Sequence, residues 1–440
     1  MADTANIQDF NLNLTPHSVA VGNQRYLWIT TSNRKVIRVN PNDPNSRREI
    51  PTLNYDLTAG VMKDPVSENQ RIWMASPDKV DPILMMETQG SFPITVYELE
   101  PRDGRAESIK LRTTDKGTEG KPNISYDLLF AEPIHNYIGI LPIPAQGGTY
   151  AKMPVGHDTY LWDVAVATDP TDKKTHTYWA TGQKRASNPT RTKNGVFRRS
   201  PGQSTWESVG ILDGPEQKPF YIIADTEAVW FTATNPNQVI RWDIAEGLST
   251  TVSLGDAVPQ QLVFYTDDKV WVASSKGLHE IDRHQPSLES TIDLPHGKGA
   301  QGLCVGINGE LWYTSPGNKS FGKYVVPPPP YGGASLVGRT QVVYQGESVV
   351  HMKDHVQQPL IAEYISNGHP VPGIPLTCRI DADGATFDDG TRERVVLTDQ
   401  LGRVAVPPVA AGLIEEVAIL SVGLGNTEPH ATTTLRITQD

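Results

Sequence analysis

Short apolar runs alternate with polar turns along most of the chain, and one arrangement of these runs recurs. Each copy has a run ending in a turn, a run with an aromatic residue such as Val229-Trp230-Phe231-Thr232, a polar loop and a further run. Apolar runs of this length bounded by Gly, Pro, Asn and Asp are typical of β-strands joined by turns. The aromatic positions of the seven copies are Trp28, Trp73, Phe130, Trp179, Trp230, Trp271 and Trp312.

Seven copies of about four short strands predict a seven-bladed β-propeller over residues 1–326. The last copy ends after GKYVV, before a proline run, and therefore lacks an outer strand. The segment IQDFNL near the N-terminus reads as a strand without a copy of its own. We expect it to complete the last blade, because closing the ring removes exposed sheet edges.

The repeat resembles the propeller family of virginiamycin B lyases, also called streptogramin lyases. The segment 125–132, SYDLLFAE, followed by Asn136-Tyr137-Ile138-Gly139-Ile140, carries the closest local match. The resemblance covers roughly residues 8 to 326. It implies a propeller, and it implies a C–O lyase chemistry that uses a histidine together with a metal-assisted Glu/His pair.

The composition changes after residue 326. Residues 327–333, PPPPYGG, read as a linker, and no tryptophan occurs after Trp312. About seven short alternating runs follow in residues 334–440, which predicts an immunoglobulin-like β-sandwich. The segments 368–376 and 398–402 resemble bacterial Ig-like domains of the invasin/intimin group (Big-1-like), which implies a spacer or adhesive module. The expected fold class is therefore all-β, a seven-bladed β-propeller plus a C-terminal immunoglobulin-like β-sandwich.

Charge and composition limit the function classes. The formal net charge is −11 over 440 residues, which disfavours binding to nucleic acid or to anionic membranes. No apolar stretch is long enough to span a membrane, and no secretory signal peptide is visible. We expect a cytoplasmic protein as synthesised, with non-Sec export left open. The two cysteines, Cys304 and Cys378, fall in different predicted domains, so no disulfide is expected.

In a propeller of ordinary topology, the starts of the first strands and the ends of the second strands share one face. Function tends to sit in the loops of a rigid scaffold, so these positions are the candidates. Candidates at the starts of first strands are His17, Asn123, Tyr160, Trp162, Tyr221, Gln261 and Gln301. Candidates after the second strands are Glu132, His135, Lys184, Arg185, Asn235 and Ser315.

Two insertions stand out. Residues 76–93 contain Ile83-Leu84-Met85-Met86, which we expect to cover the channel or meet a partner. Residues 182–195 hold a basic patch that suits an anionic ligand, made of Lys184, Arg185, Arg191 and Lys193. Tyr160 and Trp162 could stack on a sugar or another flat ligand, although core packing is slightly favoured.

Three functions remain open from the sequence. The first is a non-enzymatic binding protein without cofactor, whose channel face takes a carbohydrate, an anionic ligand or a protein partner. The second is a Mg²⁺-dependent C–O lyase using Glu132 and His135, a pair that is more typical of a solvated turn than of a site. The third is a structural component of a larger assembly. Aspartates at 381, 383, 388 and 389 have calcium-like spacing but are more typical of turns.

Overall fold

The fold is seen in a computed structural model of the chain, and the regular secondary structure of the described residues is almost entirely β-strand. The structure describes residues 6–22, 26–53, 55–58, 60–63, 71–77, 83–99, 104–116, 123–143, 150–156, 159–169, 174–184, 194–209, 212, 216–266, 269–306, 309–326, 338–344, 349–351, 361–366, 369–370, 375–381, 385–387, 390–398, 403–406, 409–411, 416–424 and 431–438. Among them, no helix has the length and apolar character that crossing a membrane requires.

The chain divides into two compact units. The first comprises Met1–Phe264, Lys269–Cys304 and Leu311–Tyr324, and the second comprises Tyr265–Asp268, Val305–Glu310 and Val325–Asp440. Cys304 and Cys378 form no disulfide.

In its described residues, the first unit consists of seven four-stranded antiparallel sheets, numbered 1 to 7 along the chain. The strands of the N-terminal half are β1 (Ile7–Asn11); β2 (Pro16–Val21), β3 (Leu27–Thr31), β4 (Lys35–Asn40) and β5 (Asp43–Pro51) in sheet 1; β6 (Gly60–Lys63), β7 (Arg71–Ala75), β8 (Ile83–Glu87) and β9 (Ile94–Tyr97) in sheet 2; and β10 (Ser108–Asp115), β11 (Ile124–Glu132), β12 (Tyr137–Ile143) and β13 (Ala151–Pro154) in sheet 3.

The remaining strands of this unit continue the pattern. They are β14 (Tyr160–Thr168), β15 (His176–Gln183), β16 (Gly195–Arg199) and β17 (Glu207–Val209) in sheet 4; β18 (Lys218–Ala224), β19 (Ala228–Thr234), β20 (Gln238–Asp243) and β21 (Ser249–Ser253) in sheet 5; β22 (Pro259–Thr266), β23 (Lys269–Ser274), β24 (Gly277–Asp282) and β25 (Leu288–Asp293) in sheet 6; and β26 (Leu303–Val305), β27 (Leu311–Ser315) and β28 (Ser320–Tyr324) in sheet 7.

The fourth strand of sheet 7 comes from the other end of the chain. Strand β1 pairs antiparallel with β28, with Ile7 opposite Tyr324 and Asn11 opposite Ser320. The ring of Phe10 stacks on Trp312 and on Phe321, at centroid distances of 6.4 and 5.1 Å. The strand order of this sheet is therefore β1-β28-β27-β26.

The seven aromatic residues of the repeat all lie in the second strand of their sheets, and all are buried, as their spacing predicted. Their rings belong to apolar clusters that fill the space between consecutive sheets. One cluster joins Trp28 of sheet 1 to Ile72 of sheet 2, and another joins Trp73 of sheet 2 to Phe130 of sheet 3. Similar clusters join sheets 3 and 4, 4 and 5, and 5 and 6.

The packing between sheets also joins the last sheet to the first. Trp271 of sheet 6 lies against Tyr324 of sheet 7, with ring centroids 5.5 Å apart. Trp312 and Phe321 of sheet 7 share a cluster with Val19 and Ile29 of sheet 1. Sheet 7 therefore packs on sheet 1, and the seven sheets form a closed cycle.

Residues 83–86 do not form a loop over the channel, and that expectation was wrong. They belong to β8, the third strand of sheet 2, which pairs with β7 and β9. All four side chains are buried, because neighbouring sheets cover both faces of this strand. A strand buried on both faces reads as a continuous apolar run, which the sequence does not distinguish from an apolar insertion.

The second unit contains three sheets within its described residues. One is five-stranded, in the order β30 (Val349–His351), β39 (Ala431–Thr438), β38 (Glu416–Leu424), β33 (Pro375–Asp381) and β35 (Glu393–Leu397). Another holds β29 (Gly338–Tyr344), β31 (Ile361–Ser366), β32 (His369–Pro370) and β36 (Arg403–Ala405). The third pairs β34 (Ala385–Phe387) with β37 (Val409–Ala411). Of the four calcium-spaced aspartates, Asp383, Asp388 and Asp389 lie outside the described residues.

The pairing of β1 with β28 predicts a stability effect. Phe10→Ala should lower the free energy of unfolding by about 2–3 kcal/mol, less than the about 3–5 kcal/mol of a fully buried Phe, because Phe10 is half-buried. Gln8→Ala on the same strand, where Gln8 is exposed, is the matched control and should change little.

Deleting residues 1–14 should lower the melting temperature far more than deleting residues 334–440. An unchanged melting temperature after the N-terminal deletion would contradict the closing role of β1.

A buried histidine predicts a pH effect. The ring of His279 in β24 contacts the hydroxyls of Ser274 and Thr291 at 2.7 and 3.1 Å, and burial lowers its pKa to about 4. The unfolded chain takes up this proton near the ordinary value, so the protein should lose up to about 3 kcal/mol as pH falls from about 6.5 to about 4. Urea unfolding of wild type and His279→Gln across this window checks it. The free energy of unfolding should depend less steeply on pH in the variant than in wild type. Equal slopes in the two proteins would contradict the prediction.

Candidate functional site

A polar cavity lies where the first strands of the seven sheets begin. Its volume is about 50 Å³, and every sheet contributes to its lining. The lining side chains and backbone belong to His17, Ser18, Thr58, Gly60, Val61, Ser108, Ile109, Lys110, Asp163, Tyr221, Gln261, Gln301 and Gly302. A single water requires ~10–15 Å³ measured in this way, so the cavity admits a group of only a few heavy atoms.

Three of the first strands carry a β-bulge where they reach this cavity. The register shifts between Pro16 and Val19, between Leu161 and Asp163, and between Pro219 and Ile222. A bulge leaves one strand with an extra residue and redirects the side chains around it. Here the bulged segments include His17 and Tyr221, and the bulge in β14 comes directly before Asp163.

A threonine two positions after the repeat tryptophan supports these irregular segments. The hydroxyls of Thr30, Thr181, Thr232 and Thr314 accept the backbone N–H of Ser18, Asp163, Tyr221 and Gly302, at 2.8–3.2 Å. Two of the hydroxyls also donate to the next sheet, Thr181 to the carbonyl of Phe220 and Thr314 to that of His17. Backbone groups that the bulges remove from the ladder are thereby paired, as buried groups must be.

Asp163 is the buried acid of the cavity. One carboxylate oxygen accepts the N–H of Val164 at 2.8 Å, and the other accepts the N–H of Ile222 in sheet 5 at 2.9 Å. The second oxygen also lies 3.4 Å from Nζ of Lys110 in sheet 3, whose side chain is 27% exposed. Asp163 thus links three consecutive sheets while the ammonium of Lys110 remains open to the cavity.

His17, Gln301 and Tyr221 lie together in the cavity lining. Burial lowers the pKa of His17, an effect that the side-chain interaction with Gln301 and the charge of Asp56 only partly offset. The two ring nitrogens are buried and make no hydrogen bond of normal geometry. Burial also raises the pKa of Tyr221 to about 12, so its phenol is neutral at physiological pH.

Gln261 and Ser108 complete the polar lining. The side-chain carbonyl of Gln261 accepts the N–H of Leu303 at 3.1 Å, which fixes the orientation of its amide. Ser108 is only 6% exposed, and its hydroxyl has no hydrogen-bond partner. A buried hydroxyl without a partner is costly, so an unpaired one beside a cavity points to a missing ligand or water.

Tyr160 and Trp162 lie beside the cavity rather than in its lining. Trp162 packs edge-on against Phe220, with ring centroids 5.0 Å apart, and at 6.3 Å from Tyr160. The phenol of Tyr160 donates to the carboxylate of Glu107, whose pKa is raised by burial and lowered in part by this bond. All three rings are half-buried, which is compatible with either packing or stacking on a ligand.

Glu132 is the last residue of β11 and lies outside the cavity lining. It stands two residues after Phe130, where four of the other sheets have threonine, and it is fully buried. Its carboxylate accepts the N–H groups of Arg105 and Ile134 at 3.0 Å and of His135 at 2.5 Å. Nδ1 of His135 lies 3.4 Å from the same carboxylate. Glu132 therefore anchors the turn between β11 and β12, and it does not line the cavity.

The geometry does not fit Mg²⁺ at this pair, because three backbone donors already occupy the carboxylate. Nowhere among the described residues do three His, Cys, Asp or Glu side chains converge as a metal site requires. In the basic loop, Arg185, Arg191 and Lys193 lie outside the described residues, and Lys184 is exposed at the end of β15.

The sequence and the structure agree on part of the cavity. His17, Tyr221, Gln261 and Gln301 line it, whereas Asn123 lies in the turn at the far end of β10, where its N–H bonds Asp115. Ser108, Lys110 and Asp163 were missed. The sequence feature that could have identified Asp163 as a cavity residue is its position next to Trp162. Only the bulge decides which of the two side chains faces inward.

Comparisons with solved structures show the fold. The structure titled "Streptogramin B lyase structure" matches with a TM-score of 0.54 at 14% identity, over 73% of this chain and 97% of that chain. The WD40 β-propeller domain of Doa1 matches with a TM-score of 0.54 at 12% identity, over 73% and 96%. YCF48 bound to D1 peptide matches with a TM-score of 0.51 at 13% identity, over 73% and 96%.

These neighbours and the four-stranded antiparallel sheets fit a β-propeller. No family model matches the sequence, and no curated protein matches it. At these identities the likeness shows the fold alone.

The three hydrogen bonds to Glu132 predict its effect. Glu132→Ala leaves three backbone N–H groups without their acceptor and should lower the free energy of unfolding by at least about 3 kcal/mol. His135→Ala removes a partly exposed ring and should cost less than about 1 kcal/mol. Denaturant unfolding of both variants measures the difference. Equal, small losses would show that Glu132 does not anchor this turn.

Proposed function

We propose that this protein is a non-enzymatic recognition protein, and that its channel face binds a polar group projecting from a peptide or protein partner. The observation that carries the proposal is the cavity where seven first strands meet. Polar side chains line it on most sides, and its volume of about 50 Å³ admits only a few heavy atoms.

The size favours a larger ligand over a free small molecule. Sites for drug-sized ligands are mostly apolar and enclose most of the ligand. This cavity is polar and could hold only the tip of such a ligand, so most of the contact area must lie on the surrounding face. Tyr160 and Trp162 lie next to it. In our proposal, the channel face also includes the basic loop after β15, which holds Lys184, Arg185, Arg191 and Lys193.

The neighbours offer limited support. YCF48 was solved bound to D1 peptide, and that is a statement about YCF48. It supports the proposal only in that a propeller of similar fold takes a peptide. The placement of Glu132 gives no support to the lyase alternative.

In this proposal, the first unit is a seven-bladed β-propeller and the second an immunoglobulin-like sandwich that serves as spacer or docking module. The support for the first is the closed cycle of seven sheets. The support for the second is its antiparallel β38–β33–β35 core beside the sheet of β29 and β31.

Peptide selection tests the proposal. A synthetic library of short random peptides is selected on the wild-type protein, and affinities of the selected peptides are measured by isothermal titration calorimetry. Gln301→Ala and Trp162→Ala should each weaken binding by about tenfold, because residues at the centre of an interface dominate its energy. Glu227→Ala, in the turn at the far end of β18, is the control and should bind as wild type. Equal affinity of all variants would place the site elsewhere, and no selection at all would contradict peptide recognition.

A further inference from the structure

The polar groups of the cavity offer hydrogen-bond donors in excess. The carbonyl of the Gln261 side chain is held by the N–H of Leu303, so its amide nitrogen is turned away from that bond with two hydrogens to donate. The backbone N–H of Leu303 can only donate, so it fixes which end of this amide is the oxygen.

Lys110 and Asp163 add to this excess of hydrogen-bond donors. The carboxylate of Asp163 already accepts two backbone N–H groups and lies near one ammonium, so little acceptor capacity remains. The ammonium of Lys110 carries three hydrogens and has one carboxylate oxygen near it, at 3.4 Å. The pair is neutral overall, and it presents donors rather than acceptors to the cavity.

Ser108 is the independent sign of a missing partner. It is more than nine-tenths buried, it lines the cavity, and its hydroxyl is unpaired. The neutral ring of His17, also in the lining, adds a further donor nitrogen. A group that accepts several hydrogen bonds at once would satisfy Ser108, Gln261 and Lys110 together.

We infer that the cavity binds a carboxylate, carried by a peptide ligand of the channel face. This inference rests on the proposed function, and it names the group that the ligand inserts. Charge-assisted hydrogen bonds to a carboxylate are about twice as strong as neutral ones, and an ammonium with convergent N–H and O–H donors is a suitable partner.

Two neighbouring acids oppose this charge, and both are engaged elsewhere. Asp56 accepts the N–H of Arg34 at 3.1 Å, and Glu107 accepts the phenol of Tyr160 and is near Arg105. Neither lines the cavity. Because the two acids repel negative charge, the site takes a ligand with a single carboxylate. The hydrogen-bond acceptors of that carboxylate are all used by donors of the cavity.

Matched probes test the inference on the full chain. The peptide library is used as free acids and as C-terminal amides, each with Asp and Glu present or replaced by Asn and Gln. Acetate and glutarate are the small-acid probes. Titration calorimetry should show binding to peptides with a carboxylate, and at least about tenfold weaker binding when the only carboxylate becomes an amide. The free-acid and side-chain arms show which carboxylate is used.

The decisive variant is Gln261→Glu. It keeps the shape and an oxygen for the N–H of Leu303, and it replaces the donating amide by a second oxygen that repels a carboxylate. Binding should fall at least about tenfold, whereas Gln8→Glu, the same change on exposed β1, should bind as wild type. Ser108→Ala should weaken binding without lowering the melting temperature, because its hydroxyl has no partner in the fold.

The outcomes separate the two proposals. Equal binding of acid and amide peptides, or unchanged binding by a folded Gln261→Glu, overturns the carboxylate and leaves peptide recognition standing. Binding of acetate or glutarate alone, lost in Gln261→Glu, supports a carboxylate site but overturns the peptide as its source. No binding of any probe overturns both.

Discussion

Each sheet of the first unit is apolar on both faces, and the rest of the structure follows from the need to cover both. The buried aromatic ring in the second strand fills the space against one neighbour, and the apolar residues that alternate with it face the other. A linear stack would leave two bare faces at its ends. The packing of Trp312 and Phe321 against Val19 and Ile29 removes them, and β1 supplies the strand that completes the last sheet.

The same closure creates the candidate site. Seven first strands brought round one axis must begin close together, and their backbones cannot all remain regular there. Bulges accommodate the crowding in three of these strands, and threonines two positions after four of the repeat tryptophans pair backbone N–H groups there. Sheet 3 uses Glu132 for a related purpose at its own turn. The cavity side chains are therefore held by the scaffold, which suits recognition by rigid groups.

The repeat could be predicted from the sequence because large rings at near-regular spacing are a strong signal. The position of β1 could also be expected, since the last copy lacked a strand. The cavity was predictable at His17, Tyr221, Gln261 and Gln301, because the repeat marks the starts of their first strands. In sheet 3 the first strand, SIKLRTTD, is polar and was passed over in favour of Asn123, so Ser108 and Lys110 were missed. Asp163 was missed because a one-residue bulge exchanges the inward and outward positions, and no residue type announces it.

The pairing of β1 with β28 has a consequence for biosynthesis. Strand β1 pairs with one of the last strands of its unit, so sheet 7 cannot form until residue 324 has left the ribosome. Sheets 1 to 6 can form in order as they are made, but the faces of sheets 1 and 6 stay uncovered during that time. Contacts between such distant segments are slow to form, and exposed apolar faces invite association with other chains. Between synthesis of sheet 6 and closure, this chain is therefore most exposed to association with other chains.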